Sequence, residues 1–250
     1  MPTPLTSIMA SAKDSRAPRR RPSNQTDSAP AAVLARSRTD RAIRYLNVLV
    51  ALVGLIVTFP LWVLIAILIK ATSRGPVFYT QTRVGLDRRG SVTPLDLSKR
   101  RDDLGGLPFT IVKFRTMRVD AESEGRAVWA QAKDHRVTLV GVFLRSCRLD
   151  ELPQVLNVLR GDMNLVGPRP ERPELFAELR QHIPEYSKRQ RVPPGITGHA
   201  QVHLHYDTSV DDVKRKLIHD LEYIEHRTVW QDVKIMIKTI PVMLFRRGGW

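Results

Sequence analysis

Residues 145–170, RSCRLDELPQVLNVLRGDMNLVGPRP, hold the densest chemistry in the chain. Asp150 and Glu151 are adjacent carboxylates, with Arg145 and Arg148 just upstream and Arg169 and Arg172 just downstream. Leu152, Val155, Leu156 and Leu159 follow the i, i+3, i+4, i+7 spacing of an amphipathic helix, which puts the pair at a helix start with Pro153 tolerated in its first turn. Acidic residues favour that place for structural reasons alone, since they complement the helix dipole and cap free N–H groups. The arginines add a chemical reading. Cations and a helix N-terminus would hold Asp150 ionised and attract a phosphate. An ionised carboxylate can attack phosphorus. A second carboxylate beside it can hold Mg²⁺, which prefers oxygen ligands and substrate phosphates and would screen an anionic diphosphate. The pattern is that of phosphoryl-type transfer.

Cys147 is the rival nucleophile, but no histidine base lies near it in sequence and a lone cysteine is more often packing. It is the only cysteine, so no intrachain disulfide forms, which fits a reducing compartment. There is no internal repeat, Walker-type loop, GxGxxG turn or Cys/His pattern with zinc spacing, and His203 and His205, two apart, read as strand or loop residues. Asn24-Gln25-Thr26 fits a glycosylation sequon in a polar tail, a weak signal.

Two short strands, VFYTQTRV and LPFTIVKF, lead up to this region, rich in β-branched and aromatic residues and bounded by Gly and Pro. The polar stretch between them reads as a surface loop over 86–106, and its Lys99-Arg100-Arg101 run as a solvated or membrane-facing patch. Beyond the site, a capping pattern at Ser209–Asp212 opens a helix whose Leu217, Leu221 and Ile224 form a core stripe. The last segment mixes Trp230, Val233, Ile237, Ile240, Met243 and Leu244 with Lys234, Lys238, Arg246 and Arg247. Such a helix suits either the membrane interface or the core.

Upstream, residues 45–69 run 25 positions without a charge, and Pro60 lies inside. An unbroken helix of that length reaches about 37 Å against a hydrocarbon core of about 30 Å, so a tilted span is allowed. Proline removes a backbone hydrogen bond and clashes with the preceding turn, so a break is expected near residues 56–60. Arg36, Arg38, Arg41 and Arg44 precede the segment and Lys70, Arg74 and Arg83 follow it. Positive residues favour the cytoplasmic side, and here both ends ask for it. A re-entrant helix-break-helix satisfies both, while spanning helices also carry prolines.

The formal net charge is +15, of which residues 1–44 supply +6 and the remainder +9. A basic chain with one apolar anchor suits an anionic membrane surface and phosphate-bearing ligands. Nucleic acid is disfavoured as a partner for want of any recognition motif. Residues 1–32 are rich in Pro, Ser, Ala and Arg and are expected to be disordered, and the apolar stretch begins too late for a signal peptide.

Four motifs in order, GPVFYTQTRVG (75–85), KFRTM (113–117), LDELPQVLNVLRGDMNLVGPRP (149–170) and PPGITGHAQV (193–202), resemble the bacterial sugar transferases known as monotopic polyprenyl-phosphate phosphoglycosyltransferases, from about residue 43 to the end. The resemblance implies that a UDP-sugar donates sugar-1-phosphate to polyprenyl phosphate, with undecaprenyl phosphate the expected acceptor. UMP is released, and the reaction passes through a covalent phosphosugar-enzyme intermediate in the first membrane step of exopolysaccharide or O-antigen assembly. Carried over by motif, Asp150 is the expected nucleophile and Glu151 with Asp150 the expected Mg²⁺ site. Arg145 and Arg169 would hold phosphate, with Lys113, Arg115, Asn157 and Asp162 further substrate-site positions. Glucose and galactose are the first sugars to expect.

The resemblance also implies an α+β fold, mainly helical with a few short strands. It would carry a re-entrant membrane helix-break-helix and amphipathic interfacial helices at the bacterial inner membrane, with the catalytic domain facing the cytoplasm. The expected division is a disordered basic tail at 1–42, the membrane helix at 43–72 and the catalytic domain at 73–250, close to a minimal catalytic unit. A homodimer is left open. Three departures stand out. Phe59-Pro60 replaces the family's Ser-Pro break, with Thr58 able to bond a carbonyl one turn back in place of the missing serine. His199 stands where Trp is common, and Arg148 where Ser is frequent. The alternative reading is a non-catalytic membrane scaffold on the same fold.

Overall fold

The computed structural model describes residues 38–87, 106–119, 121, 134–204 and 210–245. Most of the basic tail with its sequon, the bulk of the 86–106 loop with Lys99-Arg100-Arg101, and His205, Ser209, Arg246 and Arg247 lie outside the described residues, as does the side chain of Leu244. The described chain is mostly helical with four short strands.

Helix α1 (Arg38–Thr72) contains the uncharged stretch and runs through Pro60 without interruption. It is the one helix among the described residues that is long and apolar enough to cross a membrane. Pro60 has no N–H to give the Ile56 carbonyl. One turn earlier Thr58 Oγ1 donates to the Gly54 carbonyl at 2.7 Å, as its position suggested, and accepts from Trp62 Nε1 at 3.2 Å. The buried stripe of α1 comprises Ile43, Asn47, Ala51, Trp62, Ile65 and Ile69. Its opposite face, including Leu52, Val53, Ile56, Val57, Phe59, Leu64 and Ile67, is exposed apolar surface. Both halves of α1 rest on the rest of the chain. Near its start Arg44 donates to the Val158 and Leu159 carbonyls, and Asn47 Oδ1 accepts from Leu165 N–H. Near its end Trp62, Ile65 and Ile69 cluster with Phe114 and Leu144.

Strands β1 (Phe78–Val84) and β2 (Pro108–Phe114) pair antiparallel, with Tyr79 opposite Lys113. Both match the expected strand segments. Arg115, directly after β2, donates to the Ser73 carbonyl at 3.0 Å and to the Arg74 carbonyl, fastening the sheet to the end of α1. Helix α2 (Leu139–Ser146) is capped by Thr138, whose hydroxyl accepts from Gly141 N–H at 3.0 Å. Gly141 sits against the Thr116 backbone, where a Cβ would run into the carbonyl oxygen.

The helix expected from residue 150 onward divides in two. Leu149–Gln154 form a 3₁₀ turn, and only Val155–Arg160 (α3) are α-helical. Arg148 precedes the turn in the left-handed region, with φ 53°, and Pro153 lies within it. A side chain at positive φ cannot continue α2, and the tighter turn accommodates the proline ring. Strands β3 (Asn164–Val166) and β4 (Gly195–Thr197) pair parallel. Gly195 meets Gly167 backbone to backbone with no room for a Cβ, so the GPRP and GITG segments lie in direct contact. The remaining elements are α4 (Pro173–His182), a 3₁₀ turn (Tyr186–Arg191), α5 (His199–His203), α6 (Val210–Glu225) and α7 (Val229–Phe245). Leu217 is buried with Phe176 and Val213, and Leu221 and Ile224 pack on the core beside it, as the stripe suggested. In α7 Ile235 faces the core, whereas Trp230, Ile237 and Ile240 are exposed.

Candidate active site

The left-handed turn at Arg148 folds Asp150 and Glu151 toward β2 and the segment after β3. There a cavity of about 410 Å³ is lined by Asp150, Glu151, Arg145, Arg169, Lys113 and Arg115, among others. These six expected residues come together from three separate stretches of the chain. Asn157 and Asp162 do not join them. Asn157 is fully buried and acts as a strut: its Nδ2 donates to the Thr110 carbonyl at 2.7 Å and to Asp162 Oδ2 at 3.2 Å, and its Oδ1 accepts from Val112 N–H at 3.1 Å. The pair therefore holds β2 rather than lining the cavity.

The two carboxylates differ in surroundings. Glu151 Oε1 accepts from Lys113 Nζ and from Arg169 Nη2, both at 2.7 Å. Burial opposes its charge, but these two cations outweigh burial and hold the carboxyl well below its ordinary range. The contact serves the partners unequally, because burial and nearby Arg169 push Lys113 down despite Glu151. Glu151 faces two cations, while Lys113 faces a carboxylate and a guanidinium. No described residue hydrogen-bonds the carboxylate of Asp150. Burial pushes Asp150 above the ordinary range, and the charge on Glu151 adds to this against the pull of Lys113, Arg145 and Arg169. The cations expected to hold Asp150 ionised are thus opposed at this position. They compete with desolvation and with a like charge one residue away.

The cavity is strongly cationic, with nine Lys/Arg side chains against these two carboxylates. Such a site concentrates anions with several negative charges. Several contributors were not singled out from sequence. Tyr79, Gln81 and Arg83 of β1 all reach the cavity, as do Lys113 and Arg115 of β2 and its extension. The available signal was period two, because alternate residues of a strand share a face. Arg83 Nη1 also donates to the Pro170 carbonyl at 3.2 Å. Arg189, buried away from the cavity, donates from Nη2 to the Arg169 carbonyl at 3.1 Å and from Nε to Asp220 at 2.7 Å, bracing the backbone that carries Arg169. Cys147 is a free, half-buried thiol that does not line the cavity.

The free carboxylate of Asp150 and the second oxygen of Glu151 form an all-oxygen donor set beside a phosphate-attracting wall, which fits a Mg²⁺ ion that arrives with a diphosphate. The chain is 41% identical over 206 residues to an Aeromonas hydrophila protein named UDP-N-acetylgalactosamine-undecaprenyl-phosphate N-acetylgalactosaminephosphotransferase, covering 82% of this chain and 44% of that protein. It is 40% identical over 217 residues to the UDP-glucose:undecaprenyl-phosphate glucose-1-phosphate transferase of Caulobacter vibrioides, covering 86% and 74%. The exopolysaccharide production protein ExoY of Rhizobium meliloti is 34% identical over 84% of this chain and 88% of its own length. The chain thus spans less than half of the Aeromonas relative and about three quarters of the Caulobacter one. With the cavity, its two carboxylates and its arginines all inside the stretch matched by the bacterial sugar transferase model, residues 38–246, the chain belongs to the bacterial sugar transferase family.

Proposed function

We propose that this protein is a phosphoglycosyltransferase that moves sugar-1-phosphate from a UDP-sugar to undecaprenyl phosphate through a phosphosugar bond to Asp150. The observation that carries the reading is the asymmetry of the carboxylates. Glu151 is clamped by Lys113 and Arg169, while Asp150 faces the same cationic cavity with no hydrogen-bond partner among the described residues. A group left unbonded in such a place is available to react. An Asp150 oxygen attacks the phosphorus that bears the sugar, and the bond from that phosphorus to the UMP oxygen breaks. A phosphate oxygen of the lipid then attacks the same phosphorus, and Asp150 leaves as the carboxylate. Arg145 and Arg169 hold the phosphate oxygens, and Lys113 keeps Glu151 in place. Mg²⁺, held by Glu151 and Asp150, would supply charge neutralisation of the diphosphate.

The lipid acceptor requires a membrane, and α1 supports one. It rests on the catalytic region both at Arg44 and at Ile69, although about 37 Å of helix separates these points at 1.5 Å per residue. A straight span would carry one end to the far side, away from that region. Although α1 is continuous through Pro60 rather than broken near residues 56–60 as expected, a helix held at both ends would meet the membrane with its exposed apolar face and not cross it, leaving the catalytic domain on one side, the cytoplasmic side of the inner membrane. Exposed Trp230, Ile237 and Ile240 of α7, and Leu139, Val142 and Phe143 of α2, suit the interface beside it.

The test is UMP release from detergent-solubilised protein given Mg²⁺, undecaprenyl phosphate and UDP-sugars one at a time, including the glucose and N-acetylgalactosamine donors of the relatives. Multiple-turnover release that requires both lipid and metal is expected with one or two donors, because without lipid the reaction stops after at most one UMP per chain. Sustained turnover without lipid would refute the acceptor, and no release with any donor from folded protein would favour a scaffold.

A further inference from the structure

Away from the cavity, three histidines from two helices converge. His199 and His203 lie one turn apart on α5, and His219 approaches from α6. One ligand nitrogen from each lies within 4.8 Å of the other two. The rings pack edge-on and stacked at centroid distances of 4.4, 5.3 and 5.6 Å. Ring packing alone would explain those distances, but not the state of the nitrogens.

Hydrogen bonds assign the tautomers of two rings. A carbonyl oxygen can only accept, so His203 Nδ1 donates to the His199 carbonyl at 2.8 Å and His199 Nδ1 donates to the His219 carbonyl at 3.3 Å. In the neutral ring each then presents Nε2 as a lone pair. A ring N–H fixed on a backbone carbonyl is the usual support of a metal-ligating histidine. Lys238 Nζ, which can only donate, lies 3.3 Å from His203 Nε2, which agrees with this tautomer. The third ring lacks a hydrogen-bond partner at a buried atom, His219 Nδ1. The Glu222 carboxylate lies 3.7 Å from His199 Nδ1 and 3.8 Å from His219 Nδ1, on an exposed side chain free to swing.

We propose that His199, His203 and His219 form a zinc site, completed by Glu222, that pins α5 to α6. Three imidazoles and one carboxylate form a tetrahedral donor set that zinc accepts. Bonds of about 2.0–2.1 Å put tetrahedral ligand nitrogens about 3.3 Å apart, so the cluster must close by about 1.5 Å at most, a movement within reach of side-chain rotation with His203 and Glu222 exposed and His199 and His219 half-buried. Zinc would displace Lys238 from His203. None of the four residues lines the cavity of Asp150, so the site is separate from the transfer chemistry and does not depend on it.

The experiment titrates zinc into full-length, detergent-solubilised protein without an affinity tag, against a chromogenic chelator, with Mg²⁺ present to occupy oxygen sites. One zinc per chain is expected, with a rise in thermal midpoint. His203→Ala, at an exposed position, should weaken binding at least tenfold while leaving the metal-free midpoint in place. Lys238→Met should tighten it, because the competing ammonium is gone. Asp150→Asn should leave it unchanged. Absence of zinc binding, or equal affinity in wild type and His203→Ala, would overturn the proposal. So would a Lys238→Met protein that binds zinc more weakly, since that would make the lysine contact part of the site.

Discussion

Asn157 offers the sharpest separation of a structural from a substrate-binding role. The family motif makes it a candidate ligand, whereas in the structure it is fully buried and bonds the backbone of β2 at Thr110 and Val112. Asn157→Ala leaves one carbonyl and one N–H without a side-chain partner. Each such loss costs about 1–3 kcal/mol, so the total is about 4 kcal/mol. For a chain of this size that lowers Tm by about 8–16 °C. Asn157→Asp is the harder test. It keeps an acceptor for Val112 N–H but turns an oxygen toward the Thr110 carbonyl and the Asp162 carboxylate, so its loss should be at least as large. The assay pairs thermal unfolding in detergent with initial rates of UMP release below the transition. Both variants should unfold earlier while the KM for the UDP-sugar stays as in wild type. A raised KM with an unchanged Tm would refute the strut and return Asn157 to the substrate.

Other outcomes follow from the same geometry. Asp150→Asn should lose turnover while still sedimenting with membranes, and wild-type turnover in that variant would remove Asp150 as nucleophile. Burial and the Glu151 charge raise the Asp150 pKa, so kcat/KM should fall as pH drops through a value above the ordinary 3.8. Arg145 favours the charged form of Asp150, so Arg145→Gln should move that acid limb to higher pH, and a limb that stays in place would disconnect the two residues. In a Cys147→Ser background, single cysteines at positions 30 and 75 should both label from the cytoplasmic side, and labelling from opposite sides would rule out a re-entrant α1.

Much of this was legible in local pattern. The uncharged run, the alternating strands and the stripe of Leu217, Leu221 and Ile224 are statements about neighbours in sequence, where periodicity reports which face is buried. The adjacency of Asp150 and Glu151 among arginines pointed to phosphoryl-type transfer for the same reason. Other features depended on contacts between distant segments. The left-handed Arg148 and the 3₁₀ turn overrode a helical pattern that propensity alone supported, and Glu151 is thereby held by Lys113 and Arg169. Asn157 changed from ligand to strut once β2 lay beside it.

By itself, then, the sequence determined most of the helical segments, the strand faces, the long apolar stretch and the pairing of two carboxylates among arginines. Each of these follows from residue type at short spacing. Only the tertiary structure decided which carboxylate is clamped and which is free, since that depends on cations 38 and 18 residues away. It also decided that both halves of α1 rest on one region, and that His199, His203 and His219 meet. The spacing of His199 and His203 puts them on one helical face, but His219 arrives from a separate helix, and no linear pattern encodes which helices pack together.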